Sequence, residues 1–154
     1  MATIKSIPTL YRGVFTWVDP VVSFGTGYAL IFHRDAILAH LSPLFSPRVE
    51  AYDPWLWQVA GGYFVISVMQ GGLLRYTQDL NIWKICQGAV CIMDIVILCS
   101  MWEMRNPPHN WFTPAMSQKD WGQVYGTAAF ALIRIFFILE VGFTKRPGKK
   151  THSS

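Results

Sequence analysis

The chain has 154 residues, of which 52% are hydrophobic and only 14% are charged, and its mean hydropathy is +0.28. Soluble domains carry about 25% charged residues, so this composition disfavours a soluble fold, although composition alone does not exclude one. The net charge of +4 follows from an unequal distribution of Lys and Arg between loops, described below, and does not indicate a nucleic-acid partner.

Four long segments contain almost no charge and predict four membrane-spanning helices. In chain order they cover residues 14–32, 55–75, 82–102 and 121–143. About 20 residues cross a hydrocarbon core of about 30 Å, and backbone groups in lipid must bond within their own segment, which favours helices over strands. Tryptophans lie near the predicted interfaces, as in aromatic belts. We therefore expect an all-α membrane protein built as a four-helix transmembrane bundle.

The connecting segments complete a single transmembrane domain over residues 1–143. The first apolar segment lacks a small-residue cleavage site and is predicted to be a retained span, not a signal peptide. Apolar residues at helical spacing predict a short interfacial helix over Asp35–Leu44. A tight polar turn, Tyr76–Asn81, joins the second and third spans, and residues 144–154 are predicted to form a basic disordered tail against anionic headgroups.

The orientation is predicted from Lys and Arg, which are in excess on the cytosolic side of membrane proteins. With four spans, eight of them fall on the side of both termini: Lys5, Arg12, Arg75, Lys84, Lys145, Arg146, Lys149 and Lys150. Four fall on the opposite side: Arg34, Arg48, Arg105 and Lys119. Both termini are therefore predicted to be cytosolic, and the endoplasmic reticulum is the expected membrane.

Six polar or ionisable residues lie inside the predicted spans: Asp19, Gln70, Gln87, Asp94, Arg134 and Glu140. An ionisable side chain in the membrane costs about 2.5–3.5 kcal/mol on insertion scales, so such residues indicate function by default. When each is placed at about 1.5 Å per residue, four of them fall in the cytosolic half of the bundle, Arg134 lies just below, and Asp94 lies somewhat deeper. We expect them to line a polar cavity between the helices that opens to the cytosol.

Depth also predicts which of these side chains meet. Asp94 and Arg134 lie within a few ångströms of the same depth, so an ion pair between them is expected. Arg134 and Glu140 are six residues apart and about 120° off one face, which disfavours a direct pair. The proline after Asp19 should bend the first helix and free a backbone carbonyl. The alternative is that the Asp94–Arg134 pair only orients helices, while Asp19 and Glu140 extend to the interface.

No metal or cofactor is predicted. The histidines lie in loops at spacings that do not suit a shared metal, and the three cysteines, all on the third span, are expected to pack as apolar residues. Motifs for phosphate binding, a nucleophile elbow or a zinc protease are not present in the sequence. Tyr63 shares a helical face with Gln70 and is a candidate hydrogen-bond donor in the cavity.

Short motifs along most of the chain resemble those of a family of small four-span fungal membrane proteins of largely uncharacterised function. The motifs are Pro8-Thr-Leu-Tyr11, then Phe15-Thr-Trp-Val-Asp19-Pro20, then Gly72-Leu-Leu-Arg75 with Asp79, Trp83 and Asp94. The resemblance implies an accessory enzyme of a secondary-metabolite pathway, a cyclase or epoxide hydrolase of polyketides or terpenoids. The matching polar positions are Asp19, Arg75, Asp79 and Asp94, of which Asp79 is expected to cap the third helix instead.

We expect a membrane-embedded epoxide hydrolase or cyclase that acts on a lipophilic polyketide or terpenoid intermediate. Asp94, kept ionised by Arg134, would act as base or nucleophile, and Glu140 or Asp19 would act as acid. Arg134 would orient Asp94 or stabilise developing negative charge. Substrate binding is assigned to three further side chains: Gln70, Gln87 and Tyr63.

Two other functions fit the same residues. One is a non-catalytic carrier or scaffold, which would tolerate Asp94→Asn with binding intact. The other is a sterol-isomerase-like enzyme, which would use intramembrane carboxylates and aromatic rings to move a double bond through a carbocation. The expected partners are a lipophilic small molecule, membrane lipids and possible pathway enzymes, without nucleic acid.

Overall fold

The structure, a computed structural model, describes residues 7–41, 49–105 and 118–143. Nearly all of these residues are helical and none of them is in a β-strand, which confirms the predicted all-α class. The helices are α1 (Thr9–Phe32), α2 (Arg34–Leu41), α3 (residues 53–76), α4 (Leu80–Arg105) and α5 (Gln118–Ile138), with a 3-10 turn at Glu50–Tyr52 before α3. Helix α2 covers most of the segment for which a short interfacial helix was predicted and begins one residue earlier than expected. Residues 42–44 of that prediction lie outside the described residues.

Three stretches of helix in the described residues are long and apolar enough to cross a membrane: Thr9–Phe32, Leu80–Glu103 and Trp121–Ile138. They correspond to the first, third and fourth predicted spans. The first starts earlier than predicted, at Thr9, and the last ends earlier, at Ile138. The predicted second span is α3, where two pairs of adjacent glycines and two glutamines reduce the apolar character of the helix.

The long helices associate as two pairs, α1 with α3 and α4 with α5. Within the first pair the backbones approach closely at Gly27, where a Cβ atom would lie 3.1 Å from the carbonyl oxygen of Ala60. A Cβ atom at Gly71 would lie 3.1 Å from the ring of Pro20. Close backbone contact between the described parts of the two pairs is sparse, apart from α2 against α5. The two pairs are therefore held together mainly by side chains.

Four helix ends lie together at one end of the bundle: the start of α1, the end of α3, the start of α4 and the end of α5. Seven buried side chains form an aromatic end cluster there: Ile7, Tyr11, Phe15, Leu74, Trp83, Cys86 and Phe137. The ring of Phe137 meets those of Tyr11 and Phe15 edge-on, with centroids 5.2 and 5.3 Å apart. The Tyr11 hydroxyl donates to the Val141 carbonyl at 3.0 Å. Successive long helices thus run in opposite directions.

A wider, π-helical turn interrupts both α1 and α3. In α1 it spans Val14–Val18 and in α3 it spans Met69–Leu73, and the two turns contact each other. Pro20 explains the first of them, because it has no N–H to donate to the carbonyl of Thr16. The sequence predicted that Pro20 would free a backbone carbonyl. That carbonyl is Thr16 O, which accepts a hydrogen bond from Arg75 Nη2 of α3 at 2.7 Å.

Three residues of α3 contact α1 at its π-helical turn and at Pro20. They are spaced four residues apart, which places them on one helical face. Ser67 Oγ donates to the carbonyl of Pro20 at 2.9 Å, Gly71 leaves room for the Pro20 ring, and Arg75 reaches Thr16 O. The Arg75 guanidinium also lies 4.0 Å over the ring of Trp17.

We expect Arg75→Met to reduce the free energy of unfolding by about 1–2 kcal/mol, because a charge-assisted hydrogen bond and a cation–π contact are lost. Pro20→Ala supplies a backbone N–H for Thr16 O, so the loss of Arg75 should matter less in that background. Thermal unfolding in detergent micelles, followed by circular dichroism, measures all four proteins, with exposed Arg12→Met as the control. Strictly additive losses would contradict the assigned contact.

Candidate functional site: a buried arginine between two carboxylates

The candidate site is centred on Arg134 of α5, whose side chain is 2% exposed. Its Nε donates to Asp94 Oδ2 on α4 at 2.8 Å, and its Nη1 donates to Asp19 Oδ2 on α1 at 2.7 Å. Nη1 also lies 3.1 Å from Gln87 Oε1 on α4. We refer to Asp19, Asp94 and Arg134 as the Asp–Arg–Asp group. The predicted Asp94–Arg134 pair is present in this structure, and Asp19 extends it across the two helix pairs.

Local sequence explains why these side chains meet. Gln87 and Asp94 are seven residues apart, so they lie on one face of α4. Asp19 is the first residue after the π-helical turn of α1, and the extra residue in that turn rotates the rest of the helix. The rings of Phe15 and Phe130 lie 5.8 and 5.7 Å from the Arg134 guanidinium carbon, and supply an aromatic setting for the cation.

The site is closed at the end where an opening was predicted. Gln70 and Gln87 are 0% exposed, Asp19 is 5% exposed and Asp94 is 8% exposed. On every long helix the members of the aromatic end cluster lie between the polar residue and the end of the bundle that the charge distribution predicts to be cytosolic. In this structure the predicted cytosolic opening is therefore replaced by packed aromatic rings.

Glu140 lies outside the Asp–Arg–Asp group, although it was predicted to face the same cavity. Helix α5 ends at Ile138, and the next turn closes with Val141 N–H bonded to Phe136 O and Glu140 N–H bonded to Phe137 O. This is the Schellman arrangement, and Glu140 takes its left-handed position with a φ of 60°. Its carboxylate pairs with Lys84 Nζ at 2.6 Å, near the end of the bundle.

The side-chain amides of the two predicted substrate-binding glutamines make few of the hydrogen bonds that they could make. Neither amide atom of Gln70 has a hydrogen-bond partner in the described structure, and the Nε2 atom of Gln87 has none either. Buried polar atoms without partners are uncommon in folded proteins and call for an explanation. Tyr63, the third predicted binding residue, is half-buried on α3.

Some of the other side chains discussed from the sequence have local roles in the helices. Asp79 Oδ1 accepts the N–H of Asn81 at 2.8 Å, which confirms its predicted role as the cap of α4. The Sγ atom of Cys91 lies 4.0 Å from the carbonyl of Ala131, and all three cysteines are free thiols. Among the described residues, no group of three His, Cys, Asp or Glu side chains is placed to hold a metal ion.

The described residues are nearly all helical, and three stretches of them are long and apolar enough to cross a membrane. An arginine is buried between two carboxylates on separate helices. These are features of an integral membrane protein with a polar site in its interior. The chain belongs to the DUF7704 family, described as a domain of unknown function, which matches residues 4–144. No curated protein and no solved structure matches the chain.

Proposed function

We propose that the protein is a membrane-embedded epoxide hydrolase or cyclase that acts on a lipophilic polyketide or terpenoid intermediate of a fungal secondary-metabolite pathway. The observation that carries this proposal is the Asp–Arg–Asp group, in which one buried guanidinium binds two carboxylates. Epoxide opening requires a base for the attacking O–H and an acid for the departing oxygen. Two carboxyl groups in one buried site can divide these two tasks.

The charge of the group supports this division of tasks. With both aspartates ionised and Arg134 protonated, the group carries a net charge of about −1 in a region closed to solvent. A buried net charge is costly, so a step that delivers a proton to one of the carboxylates is favoured inside the bundle. One carboxyl group can then act as base while the other acts as acid.

We assign Asp94 as the base and Asp19 as the acid. Asp94 takes the proton of the attacking O–H group while the oxygen of that same group forms a bond to one epoxide carbon. The C–O bond at that carbon breaks, and Asp19 gives its proton to the departing oxygen. Arg134 contacts both carboxylates throughout and stabilises whichever one is ionised. Proton transfer from Asp94 back to Asp19 restores the starting state.

The apolar character of the protein suits a lipophilic substrate. Because the aromatic end cluster closes one end of the bundle, a substrate dissolved in the lipid can reach the group laterally, between the two helix pairs. Only side chains and α2 join these pairs closely in the described structure. The Asp19–Arg134 ion pair is one of the contacts that cross between the two helix pairs, and both of its residues belong to the proposed reacting group.

We further propose that the chain crosses the membrane four times, with both termini in the cytosol and the endoplasmic reticulum as its membrane. Helix α3 packs along α1, and residues 53–76 extend over about 36 Å at 1.5 Å per residue, enough to cross the hydrocarbon core. The distribution of Lys and Arg orients such a bundle.

Glycosylation mapping tests this topology, because the natural sequence has no Asn-x-Ser/Thr acceptor. We expect an acceptor inserted within residues 106–117 to be glycosylated in microsomes, and one appended after Ser154 to remain unmodified. A chain in which α3 does not cross would give the reverse pattern at both positions. That reverse pattern would contradict four spans.

The proposed reaction is tested with purified protein in liposomes and two probes, limonene 1,2-epoxide and linalool 6,7-epoxide, in water labelled with 18O. Hydrolysis gives a labelled diol, whereas cyclisation of the linalool epoxide gives an unlabelled cyclic ether. A carrier or scaffold leaves both probes unchanged, and a sterol-isomerase-like enzyme would move a double bond without opening the epoxide. Failure on both probes, together with an unchanged metabolite profile in a strain that lacks the gene, would overturn the proposal.

A further inference from the structure

Gln70 is fully buried, and its side-chain amide makes no hydrogen bond in the described structure. It is 0% exposed, and neither its Oε1 nor its Nε2 has a partner among the described residues. Gln87 is also 0% exposed, but its Oε1 accepts from Arg134, which leaves only Nε2 without a partner. A fully buried amide with two unused atoms destabilises the fold unless a ligand completes its hydrogen bonds.

The two glutamines lie at matching depths. Helices α3 and α4 are joined by the short turn at residues 77–79 and run in opposite directions. Gln70 is about 9 Å from the end of α3, and Gln87 is about 10 Å from the start of α4, at 1.5 Å per residue. Because Gln87 contacts Arg134, this depth is also that of the Asp–Arg–Asp group.

The unused atoms define the chemistry of a ligand. Gln70 Oε1 needs a hydrogen-bond donor, whereas the two Nε2 groups need acceptors. A cation is disfavoured by the amide donors and the Arg134 guanidinium, and an anion is disfavoured by the two nearby aspartates. A neutral oxygen that carries hydrogen, as in water or an alcohol, can both donate and accept.

We propose that Gln70 and Gln87 form a subsite that holds a neutral O–H group, and that this group is the nucleophile of the reaction. This inference rests on the proposed function and deepens it, because the source of the O–H decides the product. A water molecule attacks the epoxide carbon to give a diol. A hydroxyl of the substrate attacks the same carbon to give a cyclic ether. In both cases the O–H proton passes to Asp94, and the epoxide oxygen gains a proton from Asp19.

The subsite is tested first by stability, which does not depend on turnover. Methionine matches the length of glutamine, so Gln70→Met removes two unused polar atoms with little change in volume. Because water can complete the hydrogen bonds of the wild-type amide, we expect the unfolding temperature in micelles to change by less than about 2 °C, since no internal partner is lost. Gln87→Met, at equal burial, removes the bond to Arg134 and should lower it, while exposed Gln78→Met is the neutral control. A loss for Gln70→Met as large as that for Gln87→Met would show that the amide is paired internally and would overturn the subsite.

The source of the O–H group is tested with the two epoxide probes in 18O-labelled water. If water occupies the subsite, the diol carries the label; if a substrate hydroxyl occupies it, linalool 6,7-epoxide gives the unlabelled cyclic ether. We expect Gln70→Met to reduce formation of that product at least tenfold, although the protein stays folded. Unchanged turnover in Gln70→Met would overturn the inference. If the wild-type protein opens neither probe, the proposed function loses its support, whereas the stability comparison still decides whether the subsite exists.

Discussion

Replacing Arg134 by glutamine is expected to reduce the free energy of unfolding by about 3–5 kcal/mol, because two buried carboxylates lose their shared partner. The guanidinium makes three hydrogen bonds to Asp94, Asp19 and Gln87, and its side chain is 2% exposed. Arg134→Lys keeps the charge but not the planar fork that reaches two carboxylates at once, so it should be intermediate. Unfolding of purified protein in mixed micelles measures the series.

A mutant cycle separates the ion pairs from general damage to α5. If Arg134 stabilises the fold by neutralising the aspartates, Asp19→Asn and Asp94→Asn should each recover part of the loss caused by Arg134→Gln. The triple variant should be the most stable of the proteins that lack Arg134. Gln123→Met, a substitution elsewhere on α5, is the matched control. Losses that simply add would show that the three side chains do not form a coupled group.

Asp94→Asn is expected to reduce epoxide opening by a factor of about 10²–10⁴ while the protein still accumulates in membranes, because the asparagine amide cannot accept the proton of the nucleophile. The substitution keeps the size of the side chain, and its oxygen can still accept from Arg134 Nε. Initial rates of product formation in liposomes, normalised to the amount of folded protein, measure the effect.

Asp19→Asn should impair the other proton transfer, in which the departing epoxide oxygen is protonated. We expect it to slow epoxides with poor leaving groups most, since protonation of the departing oxygen matters most there. Exposed Asp35→Asn is the control for loss of a carboxylate. Turnover that survives Asp94→Asn unchanged would remove Asp94 from catalysis, and bound but unconverted substrate in the wild type would favour the carrier.

The part of the site that lies in the middle of the helices could be predicted from the sequence. Depth along a helix depends only on the rise per residue, so counting placed Asp94 within a few ångströms of Arg134, whereas it placed Asp19 in the cytosolic half. The same counting placed Gln70 and Gln87 in the cytosolic half of the bundle. These predictions required only that each segment be helical, and the described structure confirms the helices.

The end of α5 could not be predicted in the same way. A run of apolar residues continues past Ile138, so the sequence favoured a helix to residue 143 with Glu140 facing inward. The chain instead ends the helix with a left-handed residue, a position usually taken by glycine, and Glu140 occupies it. Its pair with Lys84 connects residues 56 apart in the sequence, which no local pattern predicts.

The aromatic end cluster was missed because an aromatic residue near a helix end has two possible environments. Trp17 and Trp55 are 62% and 65% exposed, as expected for side chains at a membrane interface. Trp83 was assigned to the same belt, but it is 1% exposed and donates its indole N–H to the Thr77 carbonyl. Only the packing of all four long helices distinguishes these cases, and this packing also closes the predicted cytosolic opening.

The sequence separation within the Asp–Arg–Asp group has a consequence for biosynthesis. Asp19 and Arg134 are 115 residues apart, and Asp94 and Arg134 are 40 apart. At ribosomal rates of about 5–20 residues per second, roughly 6–23 s pass between the synthesis of Asp19 and that of Arg134. During that interval the nascent chain exposes unpaired intramembrane acids, the kind of feature that chaperones and membrane quality control can recognise. Arg134 is translated last among the three and therefore completes the group, so a chain truncated before it would retain two acids without their shared partner.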